Sequence, residues 1–569
     1  MKVYLPLMIQ DPMTGEEKIV EGIHVESGRD YVADFGDGPT TSLVVVEDFD
    51  PITGELLPGV SFVPPGGGRK MGRYLIPDDI YSSEFIRVSV LGTILKTMRL
   101  FSDESALGRK IRWAFDGPRL RVLPRAGEGA NAFYDRESGS LQFFYFKNPH
   151  SPSETVFTSL SRDIVAHETG HALADSIAPS LYDALTPQSL AVHEAIADLT
   201  ALITAFQSNT LRLRVLERTK GSIRNPNAFS SLAPQFGRAL DESGRAGAFR
   251  SLWNNKTLDP DDRSLDERGR PNSVASTDPH ALSEVMSGAL YQVMVRIHER
   301  NWARYGGEFS TSGRALAEAV TSFQRIVFRA LDYLPPGEAS FADYGRAISI
   351  GNKTSFVTWG HESQWLVEEF QRRRVIEGPD ELQRIEPEEL YRTKHVDGEL
   401  LARNDAEAHK FVDMRRSLFN IPAGVPINVY PRLRTRKGSG WGKRWATDVQ
   451  YEILMKVSWE QIEEDSFDRR FPRARSVTCG TTIVLNPDGW ASHVLSAEIE
   501  AQRAERDRMV RSMLESGLLR RSSEREPAAG PLEAPIRVDV LKGIMKISGA
   551  GRLLHYPGSP RSGSVWAER

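Results

Sequence analysis

The chain has 569 residues, enough for about three domains with sizeable buried cores. Its 72 Lys and Arg and 76 Asp and Glu give a net charge of −4, which argues against nucleic acid or an anionic membrane as the main partner. The one cysteine, Cys479, excludes an intrachain disulfide framework, and we expect it to be a small buried apolar group. The sequence has no long continuous apolar run, so it predicts no membrane span.

Residues 1–74 are predicted to form a small β-rich region, because short apolar or alternating runs are separated by Asp-Pro, Thr-Gly and Gly-Asp-Gly turns. The Gly-rich stretch 64–70 lacks the spacing and the terminal Ser or Thr of a phosphate-binding loop, so we interpret it as a linker. The N-terminal apolar stretch is short, broken by proline and without a small-residue cleavage site. We therefore expect a cytoplasmic protein, with secretion by another route left open.

The segment after this region begins with an amphipathic helix, predicted over residues 81–100. A strand is expected at 111–115, and a second β-rich stretch at 141–146. Asn131 precedes the second stretch, and on the residues alone it would be a turn residue. Helical patterns then dominate, so the segment 75–375 is expected to form one domain.

The most specific pattern is an H-E-x-x-H pentapeptide that contains His167, Glu168 and His171. On a helix, residues four apart share a face, so the two imidazoles can hold one ion. Zinc held in this way lowers the pKa of its water to about 7, and the adjacent Glu can take the proton as the water attacks a carbonyl. Ser161 is predicted as the N-cap of this helix, and Asp163 lies in its first turn.

A third metal ligand is predicted on a second helix, within the apolar run 190–206. Glu194 and Asp198 are one turn apart and would share a face of that helix. Two acids on so apolar a helix are costly without partners. We therefore expect Glu194 to complete the zinc site and Asp198 to accept the spare N–H of a ligand histidine. The alternative is that both acids lie on a solvated face.

These patterns together resemble the thermolysin-like gluzincin metallopeptidases, over residues 75–355. That family has the same zinc helix, a second helix with a Glu ligand and an Asp four residues later, and an edge strand that begins Asn-Ala-Phe-aromatic, as at 131–134. Segments 328–336 and 341–347 are similar to its closing helices. The resemblance implies an α+β fold with a β-rich lobe, a mostly α-helical lobe and one catalytic Zn²⁺ in the cleft between them.

The resemblance also implies roles for residues outside the zinc motif. Tyr182 and His280 match the residues that stabilise the oxyanion. Arg250 matches the arginine that holds the substrate carbonyl beside the scissile bond. Asn131 would bind substrate through its side chain, and Ala132 would bind it through its backbone in β-strand addition.

The spacing around the third ligand departs from the family pattern. The interval from His171 to Glu194 is longer than usual, which places an insertion around residues 183–188. His193 stands where the family has Asn, and we expect it to lie behind the ligands or at the surface.

Two further departures concern acidic residues. The family's partner aspartate for the catalytic histidine is replaced by Ala275, although Asp278 is near enough to orient His280 instead. Of the acids that hold structural calcium in many relatives Asp163 remains, but Ala205 stands where a second one is expected. The sequence therefore argues against bound Ca²⁺.

After residue 375 the resemblance ends, and 376–569 is predicted to form a separate α+β domain of unknown role. A charged helix is expected at 497–521. Strands are expected at 425–430, 447–457, 481–485 and 536–540. A basic cluster with interleaved Trp, at 432–445, could contact nucleic acid; a solvated hairpin whose Arg stems cover apolar surface is favoured.

The sequence thus predicts a zinc-dependent endopeptidase that hydrolyses peptide bonds by a metal-activated water, with Glu168 as general base. Its expected partner is a peptide or protein substrate. The alternative is a weakly active or inactive zinc-bearing scaffold whose C-terminal domain recruits a partner. A scaffold has no need of Glu168 or His280, which favours the enzyme. A related aminopeptidase is disfavoured because no Gly-x-Met-Glu-Asn-type strand precedes the zinc helix.

Overall fold

The structure is a computed structural model that describes residues 1–12, 20–26, 32–241, 247–275, 277–355, 360–382, 390, 393, 396–437, 450–464, 471–486, 489–497, 500–521 and 536–555. Over these residues the fold is mixed α+β, which confirms the predicted class, with twelve α-helices and several sheets.

The helices are α1 Ser83–Ser102, α2 Arg162–Ile177, α3 Pro187–Phe206, α4 Asn209–Arg218, α5 Pro234–Leu240, α6 Pro279–Arg304, α7 Phe309–Tyr333, α8 Phe341–Ser355, α9 His361–Arg372, α10 Gly398–Arg403, α11 Asp405–Asp413 and α12 Arg503–Glu515. The strands are β1 Lys2–Met8, β2 Val20–Glu26, β3 Val44–Val46, β4 Phe62–Val63, β5 Gly72–Tyr74, β6 Leu120–Leu123, β7 Ala132–Asp135, β8 Ser140–Phe143, β9 Tyr145–Asn148, β10 Ser151–Phe157, β11 Ser231–Leu232, β12 Arg250–Ser251, β13 Asn428–Lys437, β14 Gln450–Glu464, β15 Ala474–Leu485, β16 Ala491–Ser496, β17 Leu519–Arg521, β18 Ile536–Leu541 and β19 Ile544–Ile547.

The chain divides into two compact units, each assembled from several segments. Unit 1 comprises Met1–Ile177, Ala195–Asn254 and Leu290–Gln324, and unit 2 comprises Ala178–Glu194, Asn255–Ala289 and Arg325–Arg569. Helix α3 is continuous from the last residues of one unit-2 segment into unit 1. The predicted domain ranges 1–74, 75–375 and 376–569 stay predictions.

Unit 1 contains two four-stranded sheets. The first has the order β2-β1-β5-β4, which confirms the β-rich character predicted for 1–74. The second has the order β3-β6-β8-β7, with β7 antiparallel to β8. Strand β7 therefore lies at the edge of its sheet, as predicted for the segment that follows Asn131.

The predicted helix at 81–100 is confirmed as α1, whose N-cap is Ser82. The Ser82 hydroxyl accepts a hydrogen bond from the Phe85 N–H at 3.1 Å. Helix α1 packs closely on β1, since a Cβ at Gly92 would lie only 3.4 Å from the Leu5 side chain. This close packing makes α1 part of the unit-1 core.

The strand predicted at 111–115 is wrong, because the described structure has no strand there. The Trp113 indole N–H donates to the Leu43 carbonyl at 3.0 Å, and the Trp113 ring stacks on Phe115. Residues 111–115 are held by these side-chain contacts and not by backbone hydrogen bonds to a neighbouring strand. Their alternating pattern therefore produces no strand.

Unit 2 contains a seven-stranded sheet of order β13-β14-β15-β19-β18-β17, with β16 also paired to β15. The four predicted C-terminal strands are confirmed by overlap with β13, β14, β15 and β18, although β13 begins only at Asn428 and residues 447–449 lie outside the described residues. Cys479, on β15, is buried as expected, and burial raises the pKa of its thiol to about 12.

The helix predicted at 497–521 is shorter in the structure, where α12 ends at Glu515 and β17 follows. Gly517 has a φ of +68°, and the Leu518 N–H donates to the Met513 carbonyl at 2.9 Å. This is the glycine C-terminal cap that ends many helices, and the prediction overlooked it.

The predicted basic hairpin lies partly outside the described residues, since 438–449 contains both of its tryptophans. Within the described part, Arg434 pairs with Glu399 at 2.9 Å and lies over the Tyr451 ring. Arg432 pairs with Asp405. These contacts favour the prediction that the arginine side chains of the hairpin cover neighbouring protein surface.

Candidate metal centre

Helix α2 carries the H-E-x-x-H residues, as the sequence predicts. His167 and His171 are both buried, and their Nε2 atoms lie 3.1 Å apart. Two nitrogens bound to one tetrahedral zinc at about 2.05 Å would lie roughly 3.3 Å apart. The two imidazoles are therefore spaced to share one ion.

The first turn of α2 is held by the predicted Ser161 and by Asp163. The Ser161 hydroxyl accepts from the Ile164 N–H at 3.4 Å. The buried Asp163 carboxylate accepts from the Gln10 side-chain amide and the Ala233 N–H, both at 3.1 Å. Asp163 thus links three segments of unit 1, which contain Gln10, helix α2 and Ala233.

Gly170, between the two histidines, allows α2 to approach α3 closely. A Cβ at this position would lie 3.0 Å from the Thr200 side chain and 3.1 Å from the Ala197 Cα. Any larger residue would push the two helices apart. The close contact in unit 1 fixes the histidine-bearing face of α2 against α3.

Glu194 and Asp198 lie one turn apart on α3, and both are fully buried. This excludes the solvated-face alternative for these acids. By length and composition α3 is the one helix among the described residues that could cross a membrane, but its apolar window is wholly buried, which is equally the pattern of a core helix.

The ligand atoms of His167, His171 and Glu194 all lie within 4.8 Å of one another, and all three residues are buried. In the part of the chain that the structure describes, no other His, Cys, Asp or Glu group meets this spacing. Two imidazoles and one carboxylate form a known donor set for catalytic zinc, which leaves a position for water. The residues therefore fit the predicted Zn²⁺.

Asp198 lies directly behind His167, the first histidine of the group. Its Oδ1 is 3.0 Å from His167 Nδ1, so the carboxylate lies at this ring nitrogen and Nε2 is the nitrogen left for a metal. Arg250 Nη2 lies 3.4 Å from the same Asp198 oxygen and 3.4 Å from His167 Nε2. The structure thus places Asp198 and Arg250 at the predicted centre.

His280 is oriented by Asp278, the substitute that the sequence left open. His280 Nδ1 lies 3.3 Å from Asp278 Oδ1, which also accepts the His280 backbone N–H at 3.1 Å. Burial opposes ionisation of this carboxyl, but the bonds from His280 outweigh it and hold the pKa of Asp278 below its usual value. His280 Nε2 is 3.6 Å from Glu194 Oε1, and the side chain is 31% exposed.

Tyr182 and His193 pack against each other in unit 2, with their ring centroids 6.1 Å apart. His193 is buried, so the surface alternative for this residue is wrong. Tyr182 is also buried, and its carbonyl accepts the Gly551 N–H at 2.8 Å. The oxyanion role of Tyr182 stays a prediction.

Asn131 and Ala132 lie at the start of the edge strand β7. The Asn131 side-chain oxygen accepts the Ala132 N–H at 2.9 Å, while the Asn131 carbonyl accepts the Phe144 N–H at 3.2 Å. These bonds shape the beginning of an edge strand, which is the kind of element that binds an extended peptide by strand addition.

Sequence reasoning missed Asp175, which joins the region of this strand to helix α2. Asp175 follows His171 by one turn on α2 and is fully buried. It accepts hydrogen bonds from the Tyr134 hydroxyl and from Arg136 Nε, both at 2.8 Å. Its spacing from His171 could have placed it on the same helix face, but its partners Tyr134, on β7, and Arg136, just after β7, are too distant in the chain to give a local signal.

No protein-family model matches this chain, and no curated protein matches it significantly. The case for a function therefore depends on the residues and distances of this centre.

Asp198→Asn should weaken zinc binding by about 10–100-fold, because the amide is a poorer acceptor for the His167 N–H and leaves its ring less well oriented. Competition with a chromophoric chelator measures the affinity. Asp163→Asn is the matched control, since it neutralises a buried acid of unit 1 at the far end of α2. Equal zinc affinity in wild type and Asp198→Asn would contradict the orienting role.

Proposed function

We propose that the protein is a zinc-dependent endopeptidase of the thermolysin-like gluzincin type. The buried group of His167, His171 and Glu194 carries the proposal, because its ligand atoms lie within 4.8 Å of one another. The contact of Asp198 with His167 supports it, since a buried carboxylate on the far nitrogen orients a metal-binding imidazole.

Zinc at this centre would lower the pKa of a bound water and polarise the substrate carbonyl. Glu168 follows His167 on α2 and is buried. A buried carboxylate beside the ligands is suited to accept the proton of the attacking water and to return it to the leaving amine. We therefore assign Glu168 as the general base.

His280 is the residue best suited to stabilise the oxyanion. Its carboxylate partner Asp278 lies at Nδ1, and in the imidazolium form the Nε2–H would donate to a developing negative charge. The side chain is partly exposed and within 3.6 Å of Glu194, so a substrate atom could approach both. Tyr182 is assigned the same role from the family resemblance alone.

The substrate is proposed to be an extended peptide or protein segment bound at the outer edge of β7. Ala132 would supply backbone hydrogen bonds and Asn131 a side-chain bond, as in β-strand addition. Arg250, already beside Asp198, would hold the substrate carbonyl next to the scissile bond. These contacts orient the peptide and perform no chemistry themselves.

A zinc-bearing scaffold without catalysis would need only the three ligands and Asp198. Two observations favour the enzyme: the buried Glu168 beside the ligands, and the Asp278 contact that fixes His280. The thermolysin-like arrangement of residues 75–375 is part of the proposal, and a cytoplasmic location stays a prediction.

Glu168→Gln should keep one equivalent of zinc and lose peptide hydrolysis, because the amide cannot accept the water's proton. Zinc content by mass spectrometry and cleavage of a proteome-derived peptide library provide the two measurements. Wild type and variant are compared at equal metal loading. Turnover that persists in the fully loaded variant would remove Glu168 from the mechanism, and a wild type without zinc would overturn the proposed function.

His280→Ala should lower kcat by about 10²–10³-fold while zinc content is unchanged, since it removes a donor to the transition-state oxyanion. Asp278→Asn should cause a smaller loss in kcat, because the imidazole remains but is less well oriented. Steady-state kinetics on a fluorogenic peptide found in the library screen separates kcat from KM. An effect confined to KM would assign His280 to substrate binding instead.

A further inference from the structure

The start of helix α3, which carries Glu194 two turns further on, is held by a buried carboxylate from a distant part of unit 2. Glu338 lies between α7 and α8, and its Oε1 accepts the N–H groups of Leu185 at 2.7 Å and Thr186 at 3.2 Å. These N–H groups precede Pro187, the first residue of α3. A carboxylate here is also favoured by the helix dipole.

Glu338 is in turn held by an arginine of helix α12. Arg506 Nη1 donates to Glu338 Oε2 at 2.8 Å, while its Nη2 donates to Glu463 on β14. The other oxygen of Glu463 accepts from Arg475 on β15. A continuous chain of four buried charged side chains therefore runs from the C-terminal sheet to the start of the ligand helix.

Arg506 is fully buried, and the burial of a charge is costly. Burial opposes its positive charge, but Glu338 and Glu463 outweigh this effect and hold the pKa of Arg506 above its ordinary value. A buried ion pair contributes little net stability compared with apolar packing. The planar fork of an arginine that bonds two carboxylates does, however, fix their positions.

Further contacts in unit 2 fasten the same turn of α3. The Thr186 hydroxyl donates to the Gln502 side chain at 3.3 Å, and Ser189 Oγ accepts the Ala339 N–H at 3.1 Å. Leu185 and Leu190 belong to an apolar cluster whose other members come mainly from residues 509–554. The first turn of the ligand helix is therefore packed and hydrogen-bonded largely by the C-terminal region.

We propose that Glu338 and Arg506 are positioning residues for Glu194, through which the C-terminal region sets the metal affinity of the centre. Glu194 lies eight residues beyond Thr186, roughly 12 Å along a stiff helix. A displacement of the first turn is therefore transmitted to the ligand carboxylate. The inference rests on the proposed zinc site and goes beyond it, because it gives residues 376–569 a role in that site.

Glu338→Gln breaks the ion pair with little change in volume, and Arg506→Gln breaks it by removing the guanidinium. Each should weaken zinc binding by about 10–100-fold, as is typical for the loss of an outer support of a ligand, with stoichiometry kept at one. In the metal-free variants, amide hydrogen exchange of the segment 185–194 should be faster than in wild type. Arg506→Lys keeps a cation beside Glu338 and should recover part of the affinity.

Arg373→Gln is the matched control. Arg373 is a fully buried arginine of unit 2 that pairs with Glu369 and donates to the Lys256 carbonyl at 2.7 Å. Its substitution should lower the melting temperature while zinc affinity stays within about twofold and exchange of 185–194 is unchanged. This comparison separates a general loss of stability from a displaced ligand helix.

Unchanged zinc affinity in both ion-pair variants, or an equal loss in Arg373→Gln, would overturn the positioning role. If Glu338→Gln does not fold, Arg506→Lys still provides the test, since a loss of affinity well above that of Arg373→Gln is expected from the shorter, unforked side chain. A wild type without zinc would remove the proposed function together with this inference. If the wild type binds zinc and the ion-pair variants bind it with the same affinity, this inference alone is wrong.

Discussion

The close contact between the His167 imidazole and the Asp198 carboxylate is the interaction on which the candidate centre depends. It joins two buried helices through a carboxylate that is fully withdrawn from water, and its 3.0 Å length determines which imidazole nitrogen remains for a metal. Such a carboxylate is tolerable only with compensating charge, which Arg250 supplies at 3.4 Å. Gly170 allows the helices to come close enough for this contact. Once it forms, the helical repeat places Glu194 one turn from Asp198, on the ligand face.

The parts of this centre that the sequence predicts are those that local periodicity determines. His167 with His171, and Glu194 with Asp198, are spaced by one helical turn, and each pair indicates both its helix and its shared face. The strand expected at 111–115 failed for the opposite reason. A strand requires a neighbouring backbone, and Trp113 bonds instead to the carbonyl of Leu43, about 70 residues earlier. The end of α12 was predictable, because Gly517 provides a local signal for a helix terminus.

The supporting residues could not be predicted, because their partners are distant in the chain. Asp175 bonds Tyr134 across 41 positions, and Glu338 bonds Arg506 across 168. No repeat of the helix or strand relates such positions, so a single sequence shows only acids and bases on apolar elements. The exception is instructive: Asp278 and His280 are two residues apart, and their contact could be anticipated from the sequence alone. The spacing of residues in the sequence thus predicts the candidate ligands, whereas the groups that orient them are identified only from the folded structure.

Residues 183–188, where the sequence predicts an insertion, are best understood together with the C-terminal region. Glu338 accepts the N–H groups of Leu185 and Thr186 in this segment, and Asp183 accepts the Gly549 N–H at 2.8 Å. An insertion in a surface loop would carry exposed polar residues, but Ala184 and Leu185 are buried in a cluster with Met513 and Ile547. The segment 183–188 therefore packs against the C-terminal region through both hydrogen bonds and apolar side chains. The buried Arg506 lies where the C-terminal region reaches the start of α3, through its ion pair with Glu338.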